Sequence, residues 1–213
     1  KEEFTEEEMK KMRTTPYLSL LASMMWIARC TRWDILTALV ILSRVAANPL
    51  PSHWKALKKV LQYLCNTAEW QLAYKPSTGD IKLHIYTDSS HANDPITKRS
   101  IGGHLVVING CVIDWVSQHQ PYVTISSQEA EVVAASNSVT HCLYWQQIIM
   151  QMQLPRPVTK VFIDAKAAQQ FLSEPLHTSR ARHISIRLLF TREHYDKGDF
   201  DFEKISGEKN PAD

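Results

Sequence analysis

The hydrophobic period of this chain changes once, and that change limits its possible folds more than any other feature. Up to about residue 67 the apolar residues recur at helical spacing. Tyr17, Leu20, Leu21, Met24, Met25 and Ile27 make one face, and Ile35, Leu39, Leu42 and Val45 make another. Asn48-Pro-Leu-Pro breaks the chain, and Ser52 is placed to cap a third helix through Leu57, Lys58, Leu61 and Leu64. Pro76-Ser-Thr-Gly reads as a turn, and beyond it the pattern alternates. Ile81 to Thr87 reads as a strand, and Gly102–Ile108 and Cys111–Val116 flank Asn109-Gly110, a strong two-residue hairpin signal. Pro121 to Ile125 either extends the sheet or leads into the next element. Helices are expected from about Ser127 to Thr140, His141 to Gln153, Ala165 to Leu172 and Ile184 to Tyr195, with strands at Val158–Ile163 and Asp199–Ile205. A hairpin followed by helix, strand, helix and strand implies a mixed sheet with helices packed on it. The expected organisation is an all-helical segment over residues 1–75 and an α/β domain over 76–213.

Composition adds a few bounds. A chain of 213 residues, 44% hydrophobic and 22% charged, can bury a substantial core. A net charge of +2 is too small to argue for nucleic acid by itself, so any basic surface must be local. The first thirteen residues, with five glutamates and four Lys or Arg, read as an exposed helical or frayed arm. Cys30, Cys65, Cys111 and Cys142 are far apart and mostly within apolar runs, so buried free thiols are expected rather than disulfides or a zinc site. That favours a reducing, intracellular compartment: the cytoplasm, or the nucleus. Pro16 to Cys30, the most apolar stretch, is too short to span a bilayer, and no membrane association is expected.

Carboxylates sit where metal chemistry would need them. Asp88 and Asp164 each close an apolar strand, and ligands of open α/β sheets gather at the carboxyl ends of strands. If the two strands are parallel neighbours, both acids converge; otherwise each is an ordinary turn or helix cap. Glu129 and Glu131 compete for a third position. Ser126-Ser-Gln-Glu129 fits a capping box in which Glu129 reaches back to the Ser126 backbone N–H. Glu131 lies roughly 200° further around the helix, at the margin of a small apolar face, where a carboxylate is costly unless it binds something. Glu131 is therefore the candidate. The chain ends in Asn210-Pro-Ala-Asp213, which supplies a fourth acid. Hard oxygen ligands on rigid elements suit magnesium, and the pattern suggests a nuclease.

The densest basic run is His177, Arg180, Arg182 and His183, with Ser179 inside it and Arg187 and Arg192 beyond; Lys98 and Arg99 precede the hairpin. Phosphate contact is the functional reading of both, a solvated helix start or loop the structural one. Trp115 and Tyr122 are expected in the core. The nine histidines show no metal-ligand spacing.

These segments resemble the ribonuclease H domain of Copia-type (Pseudoviridae) LTR retrotransposon polyproteins. The matching stretches are Tyr86-Thr-Asp-Ser, Lys98-Arg-Ser-Ile-Gly, Ser126-Ser-Gln-Glu-Ala-Glu, Phe162-Ile-Asp, His177-Thr-Ser-Arg-Ala-Arg-His-Ile and Asn210-Pro-Ala-Asp. Upstream, Pro16-Tyr-Leu-Ser-Leu-Leu-Ala-Ser-Met, Thr31-Arg-Trp-Asp-Ile and His53-Trp-Lys-Ala-Leu-Lys-Lys-Val-Leu-Gln-Tyr-Leu resemble the thumb and connection region of the reverse transcriptase. The resemblance implies a ribonuclease H-like mixed five-stranded sheet with flanking helices, preceded by a small all-helical segment. It implies cleavage of the RNA strand of RNA–DNA hybrids with two Mg2+ or Mn2+ ions held by Asp88, Glu131, Asp164 and Asp213. Implied partners are the hybrid, contacted by Lys98, Arg99, His177, Ser179, Arg180, Arg182 and His183, and the polymerase part of the same polyprotein. An active element would place it in a virus-like particle. Ser90, Ala165, Ser185 and Trp33 depart from the family pattern, and Ile205-Ser-Gly-Glu-Lys-Asn lacks the histidine common before the fourth acid. Those departures support a rival reading, a domesticated, catalytically weak or inactive module that binds a protein or nucleic acid.

Overall fold

A computed structural model describes residues 4–164 and 182–212, and the side chains of 182–185 lie outside that description, as does the helix expected at 165–172. The chain divides into two compact units, Lys1–Leu72 and Ala73–Asp213.

The first unit is helical. Helix α1 (Glu6–Thr14) begins with a capping box, in which the Glu8 N–H donates to Thr5 Oγ1 at 3.2 Å and the Thr5 N–H to Glu8 Oε2 at 2.9 Å. The acidic arm is thus ordered by its own start signal. Helix α2 (Tyr17–Cys30), a 3-10 turn (Trp33–Ile35) and α3 (Leu36–Ser43) follow, then α4 (Pro51–Asn66). Ser52 does not cap α4. Its N-cap is Leu50, with Pro51 in the first turn and the Leu50 N–H donating to His53 Nδ1 at 3.0 Å. Proline at the first helical position needs no N–H there, so the helix starts two residues earlier than the serine suggested. Leu21, Met24, Leu39 and Leu57 form the core, and the Tyr17 hydroxyl donates to Leu42 O at 2.9 Å.

The second unit is a mixed five-stranded sheet, β1 (Lys82–Ser90), β2 (Ile101–Ile108), β3 (Cys111–His119), β4 (Val158–Ile163) and β5 (Asp201–Lys204), in the order β3-β2-β1-β4-β5. The first three strands pair antiparallel, and β4 pairs parallel with both β1 and β5. Asn109 and Gly110 both take positive φ, 49° and 83°, as a tight hairpin turn matched to strand twist requires. Helix α5 (Ser127–Gln151) runs unbroken where two helices were expected, because nothing between Thr140 and His141 stops it. Pro121–Ile125 is loop, not strand. Helix α6 is Arg182–Asp196. Leu83 and Ile85 from β1, Val106 from β2 and Val161 and Ile163 from β4 pack against Ala135, Val139 and Cys142 of α5. All four cysteines are free, but Cys30 and Cys65 are exposed, contrary to the expectation of buried thiols. Among the described residues, no helix is long and apolar enough to cross a membrane.

Candidate active site

Strand β1 is longer than the apolar run that announces it, so Asp88 lies inside the strand, opposite Gly103 of β2. Leu83, Ile85 and Thr87 are buried, and alternation turns Asp88 to the other face with His84 and Tyr86. Tyr86 pairs with Phe162 of parallel β4. Continuing that register by two residues brings Asp164, just past the end of β4, level with Asp88. The condition for convergence, parallel neighbouring strands, is met.

Glu131 comes from the first turns of α5. The helix start is fixed by Ser126, whose Oγ accepts the Glu129 N–H at 3.1 Å, while Glu129 Oε2 accepts the Ile125 N–H at 2.7 Å. The capping carboxylate thus reaches one residue further back than Ser126. Glu131 makes no such bond: its Oε2 is buried without a hydrogen-bond partner. Burial first, then the charges of Asp164 and Asp88, push its carboxyl from the ordinary 4.5 up to about 7. Three acids from three elements therefore share one electrostatic neighbourhood. Such mutual opposition is relieved by protonation or by a cation. Among the described residues no three His, Cys, Asp or Glu side chains form a ready-made metal cage. The fit to divalent ions rests instead on the orphaned Glu131 oxygen and the all-carboxylate donor set, which suit hard cations.

Asp213 lies outside the described residues, as do His177, Ser179 and Arg180 and the side chains of Arg182 and His183. Lys98 and Arg99 are exposed on the loop between β1 and β2. Asp94, buried beneath that loop, accepts the N–H groups of Ile96 at 2.8 Å and Thr97 at 3.0 Å and the Thr97 hydroxyl. The Lys98 N–H returns to Asp94 O at 2.9 Å, and Lys98 is held at φ 56°. The two cations are thus presented by a braced turn, and the Asp94-Pro95 start is the local signal that could have shown it. The Ser100 hydroxyl bonds Thr124 Oγ1 at 2.9 Å, fastening this loop to the segment that enters α5.

Two further residues were not singled out from sequence. Gln120, 2% exposed, donates from Nε2 to Ala130 O at 2.7 Å, beside Glu131. Gly102 lets α5 approach β2: a Cβ there would stand 3.4 Å from Ala134 Cβ and from Gln120 Nε2. Neither carries a pattern readable along the chain, since both act on residues about ten or thirty positions away. Trp115 is half-buried, as is Tyr122, whose hydroxyl is buried without a hydrogen-bond partner.

The sheet order and the helices on it define a ribonuclease H-like fold. Solved structures of that class are similar at low identity. They include ribonuclease H1 from Halobacterium salinarum (12% identical, 62% of this chain and 90% of that one, TM-score 0.45). Another is LC11 ribonuclease H1 in complex with an RNA/DNA hybrid (15% identical, 61% and 89%, TM-score 0.44). No family model matches the chain. The retrovirus-related Pol polyprotein from transposon TNT 1-94 of Nicotiana tabacum is 33% identical over 209 residues, 98% of this chain. That of transposon RE2 of Arabidopsis thaliana is 29% identical over 201 residues, 93% of this chain. The chain spans 16% and 14% of those two polyproteins. It is also 37% identical over 133 residues to the secreted RxLR effector protein 161 of Plasmopara viticola, covering 93% of that protein. The chain belongs to the Copia-type, retrovirus-related Pol polyproteins of LTR retrotransposons.

Proposed function

We propose that the second unit is a ribonuclease H-type endonuclease that cuts the RNA strand of RNA–DNA hybrids with two Mg2+ or Mn2+ ions. The observation that carries this reading is the buried, unpartnered Oε2 of Glu131 beside Asp88 and Asp164. Those three acids, with Asp213, would hold the ions. Bound divalent ions supply Lewis-acid chemistry to an in-line phosphodiester displacement, at both the attacking and the leaving oxygen. The protein's part is positional. Asp88 is fixed by strand pairing, Asp164 by its place directly after the paired strand β4, and Glu131 by a capped helix seated on β2. Lys98 and Arg99, held out on the braced loop, offer charge to the hybrid backbone, where such contacts supply much of the affinity. The basic run 177–183 is assigned the same role, and the polymerase part of the polyprotein is the natural neighbour in the intact product.

The test is cleavage of a labelled RNA–DNA hybrid with Mg2+, comparing the parent chain with Asp88→Asn and Asp164→Asn. The parent is expected to cut and both variants to fail; equal rates for all three would sink the enzyme reading.

One observation favours a second reading, a binding module that keeps the fold without the chemistry. This chain covers nearly the whole of a short relative that stands as a separate effector protein. Hybrid binding without cleavage, unchanged by Asp88→Asn, is the result that reading expects.

A further inference from the structure

The segment after β5 crosses the ends of the two strands that carry Asp164 and Asp88. It starts by extending the sheet, with the Ile205 N–H donating to Ile163 O at 3.0 Å. It then turns through a short 3-10 element, Gly207–Lys209. At Gly207 the backbone passes beside Asp164, so closely that a Cβ would stand 3.6 Å from Oδ2. Three residues on, Asn210 is buried, 5% exposed, while Lys209 and Pro211 on either side are exposed.

The Asn210 side chain uses both its groups. Its Nδ2 donates to Thr87 O at 3.1 Å, the carbonyl immediately before Asp88 and 123 residues away in sequence. Its Oδ1 accepts the Ala212 N–H at 3.2 Å, a local turn over the last described residues. A buried amide satisfied on both sides orients firmly, since losing either partner leaves a buried polar group unmet. Thr87 is held from its side chain too, its hydroxyl donating to Gly103 O at 3.4 Å.

We propose that Asn210 is a positioning residue for the carboxylate site. Its side chain seats the C-terminal segment on the carboxyl end of β1, and that seat fixes Asp88 and Asp164 relative to each other and leads the chain to Asp213. This rests on the nuclease reading for its consequence, though not for the seat itself. The amide, rather than the volume of the side chain, does the holding. Asn210→Asp keeps the size and the acceptor for Ala212 but turns an oxygen towards the Thr87 carbonyl.

The experiment compares the parent chain with Asn210→Ala, Asn210→Asp, Asn210→Gln and the control Lys209→Ala. Amide hydrogen exchange over 205–212, read by mass spectrometry, is expected to quicken about tenfold or more in Asn210→Ala and Asn210→Asp. Asn210→Gln, which keeps both groups, recovers part of the protection, and Lys209→Ala changes nothing. Mn2+ affinity, followed by electron paramagnetic resonance, is expected to fall about tenfold in the same two variants. Hybrid cleavage falls with it, is recovered by added Mn2+, and keeps its KM for hybrid. Unchanged exchange in Asn210→Asp overturns the seat. Faster exchange with unchanged Mn2+ affinity overturns the positioning role. A parent chain that binds no Mn2+ and cuts nothing removes the nuclease reading and the positioning role together, and the exchange rates still judge the seat.

Discussion

Two polar clusters lie along α5, and they handle burial in opposite ways. Near its start, Glu131 feels the charges of Asp88 and Asp164, three groups of one sign, and one of its oxygens is buried without a hydrogen-bond partner. Further along, Asp114 of β3 accepts from His141 Nδ1 at 3.3 Å and Trp145 Nε1 at 3.0 Å, and His104 of β2 packs its ring against His141, centroids 4.3 Å apart. In the second cluster opposite partners meet: the His141 and Trp145 bonds hold the Asp114 carboxyl below the usual carboxylate range, against burial, while His104 Nε2 is buried without a partner. Burial and the nearby His141 push His104 down to about 4. The contrast teaches where function is to be sought. The second cluster sets a carboxylate against hydrogen-bond donors; the first sets a buried carboxyl against two acids of its own sign.

The largest expected effect comes from removing that imbalance. Glu131→Gln should abolish hybrid cleavage, by at least about 100-fold, more than losing an outer-shell partner of a metal ligand typically costs. In the same variant the metal-free protein should gain thermal stability at pH 8. The sign follows from a folded pKa of about 7 against an ordinary 4.5: the native state holds its proton longer, so the metal-free fold loses stability as pH rises through 7. A cleavage assay and melts at pH 6 and pH 8 check both; full activity in Glu131→Gln would break the contrast outright.

His104 predicts the reverse slope. Its folded pKa of about 4 lies below the ordinary 6.5, so the unfolded chain binds the extra proton first. Stability present above pH 6.5 is lost as pH falls towards 4, by about 3 kcal/mol at roughly 1.4 kcal/mol per unit. His104→Leu should flatten this acid limb in denaturant titrations at pH 7 and pH 4.5.

Gly102→Val should cost about 1–3 kcal/mol by overpacking against Ala134 and Gln120. Because it displaces the start of α5, it should depress cleavage more than an equally destabilising change at the His104 end. Smallest is Asp114→Asn, about 1 kcal/mol, since the amide oxygen still accepts from Trp145. Chemical denaturation measures that difference, and cleavage should be unaffected.

Much of this was readable from residues alone, for definite reasons. The Asn109-Gly110 turn was legible because positive φ at two successive positions narrows the choice of residue. Strands β1 and β4 were legible from alternation, though β1 ran past its apolar run to Ser90, since pairing with β2 continues where hydrophobicity stops. The start of α4 was misplaced because Pro51 competes with Ser52 as a start signal, and the division of α5 had no breaker to support it. In the site, the sequence offered Glu129 and Glu131 with a local argument for choosing, and the Glu129–Ile125 bond accounts for the first. Gln120 and Gly102 stayed unread, because each acts through a contact with another part of the fold, whereas Asp94 braces its own loop and was signalled locally by Asp94-Pro95.

The sequence by itself determined the helical first segment, the hairpin, the alternating strands and the acids that follow their apolar runs, because period and turn chemistry are set within a few neighbouring residues. Only the tertiary structure decided that β1 and β4 lie parallel and side by side, that Glu131 rather than Glu129 keeps an unmet oxygen, and that Asn210 reaches back across the sheet to Thr87. Those are facts of register and burial, which no stretch of chain contains until the strands are paired.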